Sequence, residues 1–321
     1  MTALGLLAGV LLDQVVPDPR RGHPVAVFGT AASRLERAMW RDERGRGVAY
    51  AAALVGSAAL LGIGAGRATR GLGLAAATAV GTWAVLGGRS LAAEASVVDE
   101  LLARGDLAAA RQRLTHLVGR RTQHLDEAEI ARAVIESVAE NSSDAVVAPL
   151  FWGAVGGLPG LLAYRAVNTL DAMVGHHSPR YERFGWASAR ADDVANYVPA
   201  RLTALLAAAV APLAGGSGRA ALAVWRADGG KHPSPNAGVC ESAYAGALGL
   251  LLGGRNDYGS RVEDRPVLGA GAHGKPARAA DAGDISRAVR LSRGVTIAAG
   301  LACAGIAAIS LPIVPLSRRA K

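Results

Sequence analysis

Charge is scarce in this chain, and lysine scarcest of all. Asp, Glu, Lys and Arg make up 19% of the 321 residues, where soluble domains carry about 25%. Only three lysines occur, Lys231, Lys275 and Lys321. Two cysteines, Cys240 and Cys303, exclude a disulfide scaffold and a Cys-rich zinc site. There is no Gly-x-Ser-x-Gly nucleophile elbow. No repeat of 20–50 residues is visible, and the 41 glycines follow no three-residue period, which excludes collagen-like structure. Disorder is excluded by the apolar content, 51%. The apolar start Met1–Leu12 lacks a basic segment before it, and Asp13 ends it without a small-residue cleavage site. It reads as a retained membrane segment rather than a signal peptide.

What is abundant is apolar sequence bracketed by arginine. The mean hydropathy is +0.24 and the pI about 10.2. The net charge of +9 is spread along the chain, with many arginines flanking apolar runs. Membrane proteins place them there, and no nucleic-acid partner is expected. A bilayer-spanning helix needs roughly 20 apolar residues. Val48–Gly66, Leu72–Gly88 and Gly294–Leu316 are uncharged runs of 19, 17 and 23 residues. The first two read as a tight helical hairpin. Leu202–Gly218 is weakened by Pro212 and Gly215, and Ala145–Tyr164 is broken by Pro149, Pro159 and glycines. Ala237–Gly254 contains Glu241, costly at depth unless it faces a polar cavity. The last two runs are expected to be re-entrant, which membranes tolerate around a cavity. The expected fold is all-α: a polytopic integral membrane protein with roughly four to six membrane helices. The competing fold is a soluble all-α protein with very apolar helices. Arginine counts favour a cytoplasmic Asp13–Gly47 and a cytoplasmic Arg89–Asp144, seven in each.

The whole chain, 1–321, reads as one membrane domain with a polar helical insertion at 89–144 and a flexible loop at 255–285. In the insertion, Ala93, Val97, Leu101 and Leu102 repeat at helical spacing. A second helix follows from Asp106 to Val118, and a third, Asp126–Glu140, begins with acids suited to a helix N-terminus.

Four polar clusters adjoin the apolar runs. The first, Asp13 to Pro24, carries Asp18 and His23 among prolines that keep it non-helical. In the second, Glu136, Glu140 and Asp144 fall at i, i+4 and i+8, beside Asn141. Like charges on one helix face repel unless a cation lies between them. A magnesium ion or a substrate amine would serve, although a solvated acidic face reads the same way. The third cluster places Asn168 and Asp171 three apart, and Arg190 three before Asp193, with Asp192, Asn196 and Arg201 nearby. Acids with arginines suit a magnesium-bound phosphate, or an internal ion-pair network. The fourth runs from Asp228 through Lys231, His232, Ser234 and Asn236 to Glu241. Ser234 with Pro235 marks a helix start whose N–H groups suit a phosphate or carboxylate, though any capped helix looks alike. Gly269 to Pro276 nearly spells a Walker A loop, but Pro276 replaces its Ser/Thr. His176-His177 lacks a third ligand at suitable spacing.

Together these motifs resemble the adenosylcobinamide-phosphate synthase (CobD/CbiB) family. The matching stretches are Leu12–Gly29 with Asp-Pro and His-Pro, Glu140-Asn-Ser-Ser-Asp144 and Tyr164-Arg-Ala-Val-Asn168-Thr-Leu-Asp171. They continue with Phe184-Gly-Trp-Ala-Ser-Ala-Arg190-Ala-Asp-Asp193, Pro199-Ala-Arg201 and His232-Pro-Ser-Pro-Asn236-Ala-Gly with Glu241. Order and spacing agree over most of the chain. One departure is Ser260 after Tyr258-Gly259, where a further glycine is expected. The resemblance implies a multi-pass enzyme of the cytoplasmic membrane, late in cobalamin biosynthesis. It would join a propionate of adenosylcobyric acid to aminopropanol or its O-phosphate, using ATP and magnesium. Membrane lipid, other enzymes of the pathway or a second copy of the chain are the implied partners.

Amide formation requires an activated carboxylate and a clamp for developing charge. On that reading Glu140, Asp144 and Asp171 take magnesium, and Asp192, Asp193 and His232 complete the catalytic set. Asp18, His23, Asn141, Asn168, Arg190, Arg201, Lys231, Ser234, Asn236 and Glu241 are the candidate substrate-binding residues. The competing class is a membrane transporter of a corrinoid or other anionic metabolite, built on broken helices.

Overall fold

The computed structural model describes residues 1–19, 21–176, 178–259, 261–270 and 277–309. Ser260, His177, most of the Walker-like loop and the end of the last apolar run, from Ser310, lie outside them. The described chain is mostly helical. Helices α1 (Thr2–Val15), α2 (Pro24–Met39), α3 (Arg44–Ala68) and α4 (Leu72–Val85) precede the polar insertion. That insertion holds α5 (Gly88–Ala103), α6 (Leu107–Leu114) and α7 (Glu127–Ser142). Next come α8 (Ala148–Leu170), α9 (Trp186–Val210), α10 (Gly218–Asp228) and α11 (Ala237–Leu248). Strands β1 (Leu250–Asp257), β2 (Val262–Leu268) and β3 (Arg278–Ala279) lead to α12 (Ala282–Ile309).

Four helical stretches are long and apolar enough to cross a membrane: Arg44–Ala68, Glu127–Gly175, Trp186–Ala214 and Ala282–Ile309. Leu72–Gly88, expected as a span, supplies only the 14-residue α4. Nor do α3 and α4 pair along their lengths. Helix α3 packs on α8, and α4 packs on α1, where Gly5 and Gly9 face Thr78 and Thr82. Small residues allow such close approach. Ala237–Gly254 supplies α11, a 12-residue helix buried on every side, after which the chain enters β1.

Local signals in the insertion match the helix starts. Asp106 caps α6 through the Ala109 amide, and Asp126 with Glu129 forms a reciprocal capping box on α7. Each such cap contributes about 1 kcal/mol. The Ala145–Tyr164 run doubles back on itself. Helix α7 continues through a π-helical turn, Ser143–Val147, into the first arm of α8. Gly157, at φ 62° and ψ −154°, then reverses the chain. Only glycine adopts that backbone without strain. The second arm returns so that Tyr164 Oη donates to the Asp144 carbonyl at 3.1 Å. It ends in a second π-helical turn, Asp171–Gly175. Each arm of about 14 residues reaches ~21 Å at 1.5 Å per residue, short of the ~30 Å hydrocarbon layer.

One small sheet accompanies the helices. The segment 255–285, expected to be a flexible loop, contributes to a three-stranded sheet ordered β2-β1-β3. Strand β1 is antiparallel to β2 and parallel to β3. Leu250, Leu252 and Leu268 bury themselves in the main core with Ile130, Tyr244 and Val295. A buried ion network fastens β1 to α7. Glu136 accepts from Arg120 at 2.8 Å, Arg132 at 3.0 Å and the Gly253 amide at 2.8 Å. Arg120 also donates to Asn256. Glu136 is thus paired with arginine, while Glu140 and Asp144 turn elsewhere. Cys303, read as a buried thiol, is fully buried.

Candidate functional site

The two π-helical turns face the open end of the helical hairpin, and each carries a carboxylate. Asp144 lies in the first and Asp171 in the second. A π turn inserts one residue into the helical register and is found often at functional sites. Asn168 Nδ2 lies 3.4 Å from both Asp144 Oδ2 and Asp192 Oδ1, so one amide links two acids on different helices. Asn196 Nδ2 donates to the other Asp192 oxygen at 2.9 Å, and Tyr164 Oη donates to Asn196 Oδ1 at 2.8 Å. Gly175 is needed beside this set, because a methyl there would strike the Asp171 carboxylate.

These acids open onto a cavity of about 500 Å³, the size of a drug-like ligand. Its helical wall presents Glu140, Asp144, Asp171, Asp192 and Asp193. The loop before α11 adds His232, Ser234 and Asn236. All six expected catalytic residues therefore line one space. The opposite wall was not foreseen. It comes from the β1–β2 hairpin, with Tyr258, Arg261, Glu263 and Arg265. Asn196 and Cys240 also take part in the site's surroundings.

The expected substrate-binding residues divide. Ser234 and Asn236 line the cavity, and Asn168 bridges its acids. Ser234 Oγ accepts from the amides of Asn236 at 3.3 Å and Ala237 at 3.1 Å in a turn, and α11 begins at Ala237 after Asn236, two residues later than the expected start at Pro235. Arg201 sits behind the wall, stacked 3.5 Å from the Tyr197 ring centroid and donating to Asn236 Oδ1 at 3.3 Å. Arg190 is at the rim, 68% exposed, 3.5 Å from Asp193. Lys231 is held by Asp228 at 2.5 Å. Asn141 bonds the Ser137 carbonyl at 2.9 Å. Asp18 and His23 form a separate cluster: they lie 3.5 Å apart, Ser90 donates to Asp18, and His23 Nδ1 caps α2.

Glu241 backs the cavity from a side chamber of about 140 Å³ that also touches Glu136, Glu140 and Arg265. The Ser234 amide donates to His232 Nδ1 at 3.0 Å. That hydrogen bond assigns the neutral ring's proton to Nε2, which lies 3.9 Å from Glu241 Oε1. Burial, helped by the nearby Arg265 charge, lowers the His232 pKa. Burial first, then Glu136 and Glu140, push the Glu241 carboxyl well above its ordinary range.

The three-residue magnesium set Glu140, Asp144 and Asp171 is not assembled as such. Among the described residues, no three His, Cys, Asp or Glu side chains are grouped to hold a metal ion. The donor chemistry still suits a hard cation, since magnesium is bound through one or two carboxylates plus substrate phosphates and keeps several waters. Asp144 and Asp192 are the pair brought together.

Fold and cavity define a mostly helical protein with four helices of membrane-spanning length around an acid-walled site. Residues 6–292 match the CobD/Cbib protein family. The chain is 50% identical over 299 residues to the cobalamin biosynthesis protein CobD of Mycobacterium tuberculosis, covering 93% of this chain and 94% of that one. It is 46% identical over 278 residues to the CobD of Geobacter metallireducens, covering 84% and 87%. It is 43% identical over 294 residues to that of Rhodobacter capsulatus, covering 88% and 90%. No solved structure matches. The chain belongs to the CobD/CbiB family of cobalamin biosynthesis proteins.

Proposed function

We propose that the protein forms the amide bond between a propionate of adenosylcobyric acid and aminopropanol or its O-phosphate, at the expense of ATP. The observation that supports this most is the gathering of five carboxylates from α7, α9 and the two π turns around one cavity in a chain of this family. A carboxylate does not condense with an amine in water unactivated. Attack of the propionate oxygen on ATP would give an acyl phosphate and ADP, or an acyl adenylate and pyrophosphate. The amine then attacks the acyl carbon, phosphate or AMP departs, and the nitrogen loses a proton. The acidic wall would bind the ammonium, take one proton to free the attacking amine and a second from the nitrogen after attack, with Asp193 and Asp171 beside the linked Asp144–Asp192 pair. Magnesium, held by Asp144 and Asp192, would neutralise phosphate charge.

Size favours chemistry at the end of an arm. A corrin macrocycle exceeds a cavity of about 500 Å³, which suits a drug-sized ligand. The propionate alone enters, and the ring stays at the mouth. Arginine counts favour a cytoplasmic Asp13–Gly47 and Arg89–Asp144, and with Asp144 on its wall the cavity would then open to the cytoplasm from a multi-pass protein of the cytoplasmic membrane. Broken helices around a polar site are also how transporters are built, and the helical hairpin here shares that feature.

The deciding experiment incubates the detergent-solubilised chain with adenosylcobyric acid, aminopropanol phosphate and magnesium-ATP, read by mass spectrometry. A product at the summed substrate mass less water supports the synthase, and ADP or AMP release names the activation. Counterflow of unmodified corrinoid in proteoliposomes, with no product, would support the transporter.

A further inference from the structure

The cavity is electrically two-sided, and its positive side is not where the sequence put it. Lys231 is tied to Asp228 at 2.5 Å, and Arg190 lies 68% exposed at the rim. The first amides of α11 are taken by Ser234. Among the described residues, the Lys and Arg side chains lining the cavity are Arg261 and Arg265, both on the β1–β2 hairpin. They flank Glu263, with Arg261 Nη2 at 2.6 Å and Arg265 Nε at 3.4 Å from its oxygens. Arg265 Nη2 donates to Tyr258 Oη at 2.8 Å. Among the described residues these bonds engage Nε and Nη2, and Nη1 has no hydrogen bond. A guanidinium offers five donors in a planar fork that matches phosphate oxygens. The five carboxylates of the helical wall line the same cavity, and one of them, Glu140, also shares the side chamber with Arg265 and Glu241.

We propose that Arg265, supported by Arg261, is the specificity determinant that reads a phosphate monoester on the amine substrate while the helical wall holds its ammonium. This rests on the amide-forming reading above. The same fork would also suit the terminal phosphate of a nucleotide, so the test separates the two sources.

Full-length protein in detergent is assayed with adenosylcobyric acid, magnesium-ATP and either aminopropanol or its O-phosphate. Arg265→Gln is expected to raise KM for the phosphorylated amine by about 10- to 100-fold, the range for losing a charged hydrogen bond. The loss in kcat/KM should be at least about tenfold larger with the phosphorylated amine than with the unphosphorylated one, and KM for ATP should rise less than KM for the phosphorylated amine. Arg265→Lys should recover part of the loss, and thermal unfolding of each variant separates binding from misfolding. Equal losses with both amines, or a rise confined to KM for ATP, would overturn the proposal. Calorimetric binding of aminopropanol phosphate to wild type and Arg265→Gln is measured in parallel. If wild type makes no amide yet binds this amine through Arg265, the synthase reading fails and the phosphate site stands. If the two proteins bind it equally, the phosphate site fails.

Discussion

The two walls of the cavity are built by opposite means. The acidic wall is helical: Asp144 and Asp171 sit on π turns flanking a hairpin that reverses at Gly157, with Glu140 on α7 and Asp192 and Asp193 on α9. The basic wall is a strand hairpin whose place depends on Glu136, more than a hundred residues earlier, reaching the Gly253 amide. Helical neighbours position one another through the backbone, whereas the strand wall depends on a distant ion network. Damage to the first should therefore abolish chemistry, and damage to the second should loosen the site.

The largest effect is expected on the helical wall. Asp144→Ala removes an acid linked through Asn168 to Asp192, and turnover measured by product mass spectrometry should fall by about 100-fold or more. Undiminished turnover would remove Asp144 from the chemistry. Next comes the fastening between the walls. Arg120→Ala leaves Glu136 buried with Arg132 as its remaining charged partner and releases Asn256. Chemical denaturation should show a loss of about 3 kcal/mol. KM for the amine should rise more than kcat falls. Equal changes in both would show that the walls do not respond separately.

A smaller effect concerns pH. Glu241 has a raised pKa in the fold, so its stabilising contribution is complete below the ordinary value of 4.5 and is lost as pH rises through the raised one. His232 runs the other way: its pKa is lowered, so its contribution is present above the ordinary 6.5 and is lost as pH falls below that. Glu241→Gln should lose less thermal stability than wild type between pH 5 and pH 8, with the His232 limb unchanged in both. Parallel melting curves across that window would contradict it. The smallest effect is expected at Lys231, bound to Asp228 away from the cavity. Lys231→Ala should change turnover by no more than about threefold, with its stability cost that of leaving the buried Asp228 with only the Gly269 amide among the described residues. A larger loss would return phosphate binding to that loop.

The difference between the walls also explains what could be read in advance. Caps at Asp106 and Asp126, the prolines and glycines that break Ala145–Tyr164, and acids beside apolar runs are local signals. They located the insertion helices and the acids that share the cavity. The β1–β2 hairpin carries no such signal. Gly, Pro and charge dominate Arg255–Ile285, and its strands are stabilised by Leu250, Leu252 and Leu268 packing into a distant core. A usable hint lay in the Asp257-Tyr258-Gly259 turn between Leu250-Leu251-Leu252 and Val262, but the consecutive charges Glu263, Asp264 and Arg265, followed by Pro266, hide any strand alternation. The pairing of α3 with α8 rather than α4 was hidden for a related reason, because adjacency along an apolar sequence does not choose a partner. Asp18 and His23 had the right chemistry, yet they lie together away from the cavity, Asp18 bonded by Ser90 and His23 Nδ1 capping α2.

The reversal at Gly157 carries one more consequence. The two arms run antiparallel from Gly157, so Asp144 and Asp171, at their open ends, lie at one level and answer to the same compartment. On the amide-forming reading proposed above, ATP, amine and corrinoid arm would arrive, and the new amide would leave, by a single door. Such chemistry would be scalar rather than vectorial, with the bilayer as scaffold and anchorage.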